Sequence, residues 1–260
     1  MRLILIVAAA IAVTGHMRQT GTVSPVPVLV ELFTAEGCSS CPPADVLLAK
    51  MLEAQPAAGA TLVGLGEHVD YWNQSGWKDR FASAMFTRRQ QQYAARSRSD
   101  NVYTPEMVVD GGDGFVGTDI DAARHAIERA VTVPHGEIRI DVDPNASDKR
   151  KIAVAVDIRS LSGTEDDPAD LLLAVTEDGL HTDVKRGENQ GRSLTHAAVV
   201  REMVTVASVT ASGSPVRTTV RVDPSWRRDA LKIVAFVQQR RSRHVIATAV
   251  RSLEDDRPRP

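Results

Sequence analysis

The chain has 260 residues, 43% of them hydrophobic, with a formal net charge of -2, 25% charged and 4% aromatic residues. This is a soluble globular composition with enough apolar residues for sizeable cores, and its length favours two domains. Balanced charge and scarce aromatics leave no electrostatic or stacking footprint for nucleic acid, which we exclude as a partner.

Met1-Arg2 precede an apolar run from Leu3 to Val13, and polarity returns at Thr14. A cationic start followed by an apolar stretch too short for an ordinary membrane span marks residues 1–24 as a signal peptide or an uncleaved signal anchor. No small-x-small site fixes the cut, which falls between Thr14 and Ser24; no cysteine follows the run, so a lipoprotein anchor is excluded. Either form exports the chain to the periplasm or beyond, where disulfides persist, and confines any transient membrane contact to this segment.

After the spacer Ser24-Pro25-Val26-Pro27, the nearly continuous apolar run Val28 to Phe33 predicts a strand covered on both faces. Pro42 and Pro43 suit a first helical turn, where a missing N-H costs nothing, and apolar residues continue at helical spacing through ADVLLAKMLEA. A second buried strand is expected at Ala60 to Leu65, then a polar-aromatic loop HVDYWNQSGWKD and a helix from Arg80 to about Arg96. Met107 to Val116 reads as a hairpin around a plain turn at Asp110 to Gly114, and Asp119 as the cap of a helix ending near Ala130. This order predicts a compact α/β unit over residues 25–133.

From Gly136 the period changes to two. Ile138, Ile140 and Val142 alternate with polar residues, as do Ile152 to Ile158 and Val216 to Val222; further strands are expected at Leu171 to Val175, Val199 to Val206, Leu231 to Val237 and Val245 to Val250. Turns at Asp143-Pro144-Asn145, Asp166-Asp167-Pro168 and Asp223-Pro224 separate them, so residues 134–252 are expected to form an antiparallel β-sandwich of seven or eight strands. The charged, proline-bearing end, residues 253–260, is expected to be disordered.

The chain's two cysteines, Cys38 and Cys41, stand three apart between the first strand and the first helix. Random placement gives this spacing about one time in a hundred. If Cys38 lies over the positive end of the helix, its thiolate is stabilised and it is the nucleophile, while Cys41, one turn further in, resolves the mixed disulfide. Two other readings stay open. One is a structural disulfide, which so short a loop makes worth only about 2 kcal/mol. The other is a copper or zinc half-site completed by His68 and Asp70 from the adjacent loop.

The segment VLVELFTAEGCSSCP resembles the strand and active-site turn of the thioredoxin superfamily. Thr104-Pro105 before Met107-Val108-Val109 resembles that superfamily's cis-proline landmark. The resemblance implies a thioredoxin-like mixed sheet with flanking helices, Pro105 shaping a substrate groove, and the Thr104 backbone free to pair with an extended peptide. It also implies a buried acid assisting proton transfer. Glu31 matches that role, though one extra residue separates it from the dithiol, and a structural salt bridge is its other reading. The aromatic that usually precedes the first cysteine is Gly37 here.

More narrowly, ELFTAEGCSSCPPAD, His68 to Trp72, and the string Gly187-Glu188-Asn189, Gly191-Arg192, Leu194, His196, Val199-Val200-Arg201 resemble a bacterial family of exported thioredoxin-like proteins of unknown function with a C-terminal β-rich domain. Together these imply thiol-disulfide exchange with a protein or small thiol partner and no organic cofactor. A non-catalytic binding or metal-handling module is the alternative. Ser39 and Ser40 offer hydrogen bonds to a thiolate, which tips the direction toward an oxidant or isomerase within the range of roughly -270 to -120 mV that such dithiols span. Tyr71, Trp72 and Trp77 are expected either to line a substrate groove or to pack the long helix. Glu188, Asn189, Arg192 and His196 are expected either to order the dithiol edge or to serve turn chemistry.

Overall fold

The structure is a computed structural model that describes residues 24–98, 101–143, 148, 150–161, 163–209 and 215–254. The signal segment (apart from Ser24), Pro144 and Asn145 of one expected turn, and residues 255–260 lie outside these. Leu253, at the edge of the expected tail, is buried in the core.

The first half follows the expected order: β1 (Val26–Thr34), α1 (Pro42–Ala54), β2 (Ala60–His68), a 3-10 turn at Tyr71–Gln74, α2 (Ala84–Arg96), β3 (Glu106–Val109), β4 (Phe115–Val116) and α3 (Ile120–Ala130). Local chemistry sets the helix starts. Pro42 and Pro43 open α1, while α2 begins later than expected because Ser83 caps it by accepting the Met85 N-H. Asp119 caps α3 through the Ala122 N-H. β1 pairs in parallel with β2 and antiparallel with β3, which turns back into β4.

The second half contains β5 (Glu137–Asp143), β6 (Lys151–Ser160), β7 (Ala169–Glu177), β8 (Leu180–Asp183), β9 (Ser193–His196), β10 (Val199–Val209), β11 (Val216–Arg221), β12 (Leu231–Gln239) and β13 (Val245–Ser252). The fold is α/β and mostly strand, dominated by one mixed eight-stranded sheet, β13-β12-β7-β10-β2-β1-β3-β4. This sheet crosses the boundary expected near Val133. At the joint, the Gly66 N-H donates to the Ala198 carbonyl at 2.7 Å. A Cβ on Gly66 would stand 3.0 Å from the Ala197 oxygen, so the close approach needs glycine.

The alternation patterns explain the layout. In β5 and β6 only alternate residues are buried, and with β11 these strands form a three-stranded sheet with one wet face. β7 and β12 are apolar at both parities. Leu171, Leu173, Ile233 and Ala235 pack toward the small sheet, while Ala174, Val234 and Phe236 pack toward Phe33, Phe86 and Tyr93 of the first half. The other face of β1, with Val28, Val30 and Leu32, carries α1 and α3 through Leu48 and Ile127. Half of the expected sandwich therefore exists as the small sheet, and its facing strands belong to the sheet that carries the dithiol. Among the described residues no helix is long and apolar enough to cross a membrane.

Candidate functional site

Cys41 is the N-cap of α1, and its carbonyl accepts the Ala44 and Asp45 N-H groups. Cys38 and Cys41 are joined as a disulfide with Cα atoms 5.4 Å apart, and both residues are 0% exposed, whereas Ser39 and Ser40 face solvent. Thr104-Pro105 is cis, and the Thr104 carbonyl oxygen lies 3.8 Å from Cys38 Sγ. A sulfur in a disulfide has no proton, so this approach becomes a hydrogen bond only in the reduced thiol. The Ser40 hydroxyl lies 3.4 Å from the same sulfur and is the ready donor to a thiolate there.

Trp72 bridges the two loops by donating Nε1-H to Thr104 Oγ1 at 2.7 Å. A Cβ at Gly37 would meet the Trp72 backbone oxygen at 3.1 Å, so Trp72 takes the space beside the dithiol. Tyr71 turns its hydroxyl inward to Gln90, and burial, more than nearby Glu106, pushes it up to about 12. Trp77 donates to Glu36 at 2.7 Å. Asp70 accepts the Thr87 hydroxyl at 2.6 Å instead of joining His68.

A loop from the second half clamps the dithiol turn. The Asn189 amide donates to the carbonyls of Glu36 and Cys38, both at 2.9 Å, and Arg192 orients it by donating to its Oδ1 at 3.0 Å. Glu188 accepts the Ser39 N-H at 3.2 Å. Gly187 and Gly191 turn the loop at φ near +80°, so the two expected roles of this segment coincide. The sequence string GENQGR is a clamp built on a glycine turn.

Residues 29–238, a span holding every site residue named so far, match the family described as Protein of unknown function (DUF1223). The chain belongs to DUF1223. A crystal structure of protein AGR_C_4864 from Agrobacterium tumefaciens is similar at 25% identity and TM-score 0.66, over 91% of this chain and 98% of that one. HBP35 of Porphyromonas gingivalis shares the fold at 15% identity and TM-score 0.59, over 89% of this chain and 76% of that one. No curated protein matches the chain.

Two buried polar clusters flank β1 and β2 in this DUF1223 chain. In the first, Glu31 does not reach the dithiol by any hydrogen bond. Arg89 Nε donates to its Oε1 at 2.6 Å and Tyr93 to its Oε2 at 2.5 Å, which is the salt-bridge reading of this residue. Gln238 of β12 accepts from Arg89 at 2.9 Å and donates to Tyr93 at 2.8 Å. Burial would lower Arg89, but Glu31, Tyr93 and Glu67 together hold it charged. Burial, opposed by Arg89 and reinforced by Glu31, pushes Glu67 well above the carboxylate range, so it tends toward the neutral acid.

The second cluster lies beneath the dithiol turn. It gathers Glu36, Asp45 on α1, His68 at the end of β2, Asp79, and His196 at the end of β9. His68 Nδ1 and Asp79 Oδ2 are 2.6 Å apart. Burial would raise Asp79, yet His68 and the N-H groups of Glu36 and Phe81 draw it below its ordinary value. Burial works against a proton on His196, but Asp45 and Glu36 outweigh it and push His196 up to about 9. Glu36, Asp45 and Asp79 escaped the sequence reading, although each sits within the ELFTAEGCSSCPPAD or HVDYWNQSGWKD segment.

Proposed function

We propose that the chain is an exported thiol-disulfide oxidoreductase whose first half is thioredoxin-like. Cys38 thiolate attacks one sulfur of a partner disulfide, forming the Cys38-partner bond and releasing the partner's other sulfur as thiolate. Cys41 thiolate then attacks Cys38 Sγ, closing Cys38-Cys41 and releasing the reduced partner; the reverse sequence oxidises a dithiol. The observation that carries this reading is the meeting of Cys38 Sγ with the Thr104 carbonyl at 3.8 Å and the Ser40 hydroxyl at 3.4 Å. The Thr104 carbonyl is the group to which an extended partner would pair beside the reacting sulfur. Support also comes from the start of α1 at Cys41, whose positive end favours a thiolate nearby.

In this reading Pro105, Thr104 and Trp72 shape the partner's groove, Tyr71 supports it from behind through Gln90, and no organic cofactor is needed. Glu31 acts structurally, and residues 25–133 and 134–252 remain two units of one shared sheet. Export to the periplasm or beyond rests on the Leu3 to Val13 run.

A second reading, a non-catalytic module with a structural bridge, is favoured by the complete burial of both cysteines. Redox titration of the Cys38-Cys41 pair with mass-spectrometric trapping on Cys41→Ser separates the two. The oxidoreductase reading expects a reducible pair and trapped mixed disulfides. A pair that resists reduction until the protein unfolds, and traps nothing, leaves the structural reading.

A further inference from the structure

We propose that Asp45, His68 and His196 form a binding site for a divalent transition-metal ion of the zinc class, beneath the dithiol and independent of its sulfurs. One ligand atom from each residue lies within 4.8 Å of the others. The three side chains are only 9%, 1% and 2% exposed.

The hydrogen-bond account of the pocket does not close without a further group. His68 Nε2 and both ring nitrogens of His196 are buried without a hydrogen-bond partner. Each unmet group costs about 1–3 kcal/mol, and three in one pocket point to something they are built to hold. An imidazolium clamped between carboxylates would draw them to about 2.7–2.9 Å. Asp45 and Glu36 stop at 3.6 and 3.4 Å from the His196 nitrogens.

Two of the three proposed ligands, His68 and Asp45, also have a hydrogen-bonded outer partner that leaves the other atom free, the arrangement by which metal sites fix tautomer and orientation. Asp79 takes the Nδ1-H of His68 and leaves the Nε2 lone pair. Thr34 donates to Asp45 Oδ2 at 3.0 Å and leaves Oδ1. Glu36 faces His196 Nε2, and Nδ1 faces Asp45. Glu36, Asp45 and Asp79 place three carboxyl groups around two imidazoles, and a dication offsets their charge. Two imidazole nitrogens and one carboxylate oxygen suit zinc, cobalt or another borderline divalent ion, and do not suit calcium or magnesium. An ion here ties β9 of the second half to α1 and β2 of the first.

Cobalt(II) titration of the full oxidised chain after chelator dialysis tests the site. One equivalent should bind with the visible ligand-field bands of a four- or five-coordinate nitrogen-oxygen site, without a thiolate charge-transfer band, and zinc(II) should displace it. The Cys38→Ser/Cys41→Ser double variant, which has no exchange chemistry, should bind equally, so failure of the redox reading leaves this result intact. Asp79→Asn should weaken binding about 10–100-fold, and His68→Ala should abolish it. No stoichiometric binding by the wild-type chain, a sulfur-to-cobalt band, loss of binding in the double serine variant, or unchanged affinity in Asp79→Asn would each overturn the proposal. If His68→Ala does not fold, the wild-type spectrum and Asp79→Asn decide.

Discussion

The buried polar cluster around Glu31 and the one around His196 use similar ingredients, carboxylates facing basic side chains beside the same two strands, yet they end differently. Arg89 carries a permanent charge on a forked group, so Glu31, Tyr93 and Gln238 close their hydrogen bonds on it at 2.6–3.1 Å. Around His196 the basic groups are rings with two opposed nitrogens, and the carboxylates stop at 3.4 and 3.6 Å. The buried guanidinium bonds Glu31, Tyr93 and Gln238 directly and stands 3.4 Å from Glu67, whose two oxygens make no hydrogen bond, whereas the paired imidazoles leave three ring nitrogens, atoms that ligate metals, unmet. The first cluster therefore reads as architecture, and the second as a receptor.

The comparison breaks most sharply at Arg89. Arg89→Leu leaves the buried Glu31 carboxylate without its cation, and the expected loss is about 3–5 kcal/mol in urea unfolding. A loss below about 1 kcal/mol would show that the cluster relaxes or takes up protons. Next comes Asn189→Ala, which removes the amide donor from the Glu36 carbonyl and leaves the Cys38 carbonyl with the Cys41 N-H alone, and should cost about 1–3 kcal/mol. It should also speed reduction of the Cys38-Cys41 bond in the native protein; an unchanged rate would mean that the clamp does not govern access.

His135 sharpens the contrast because it is an imidazole with a met carboxylate. Its Nε2 stands 2.9 Å from Asp110 Oδ2. The Asp110 hydrogen bond raises His135, burial opposes, and the Asp110 charge adds to the rise. A raised folded pKa gives stability fully present below the unfolded value near 6.5 and lost as pH climbs through the folded value. The stability difference between wild type and His135→Gln, of order 1 kcal/mol, should thus shrink from pH 6 to pH 9. A difference that grows would reverse the assignment. The smallest effect is expected at Ser40. Ser40→Ala should raise the Cys38 thiol, read from thiolate absorbance against pH, by less than about one unit.

Legibility in the sequence followed the range of the chemistry. Pro42-Pro43, Ser39-Ser40 and Asp119 act on neighbours a few positions away, and the elements they start or line were readable. Glu31 was readable as a strand carboxylate needing a partner, but Arg89 lies 58 positions on and Gln238 another 149, distances that no periodicity encodes. The continuous apolar runs of β7 and β12 did carry the sign of two covered faces. They read as sandwich strands because nothing local says that the second cover is α2. The hairpin β8-β9 escaped because LHTD and SLTH offer few apolar residues; its role is to deliver His196 and, through the turn before it, Asn189.

The pairing of β10 with β2 at Gly66 bears on modularity. A fragment ending near Val133 would keep the dithiol turn, α1 and Pro105, but would lose the one β10 pairing at Gly66 and present the inner faces of Phe33, Phe86 and Tyr93 to water. Such a piece would stick to itself before it could be assayed. The first half is therefore expected to need the second to cover its apolar face, and the two are best expressed and engineered as one unit.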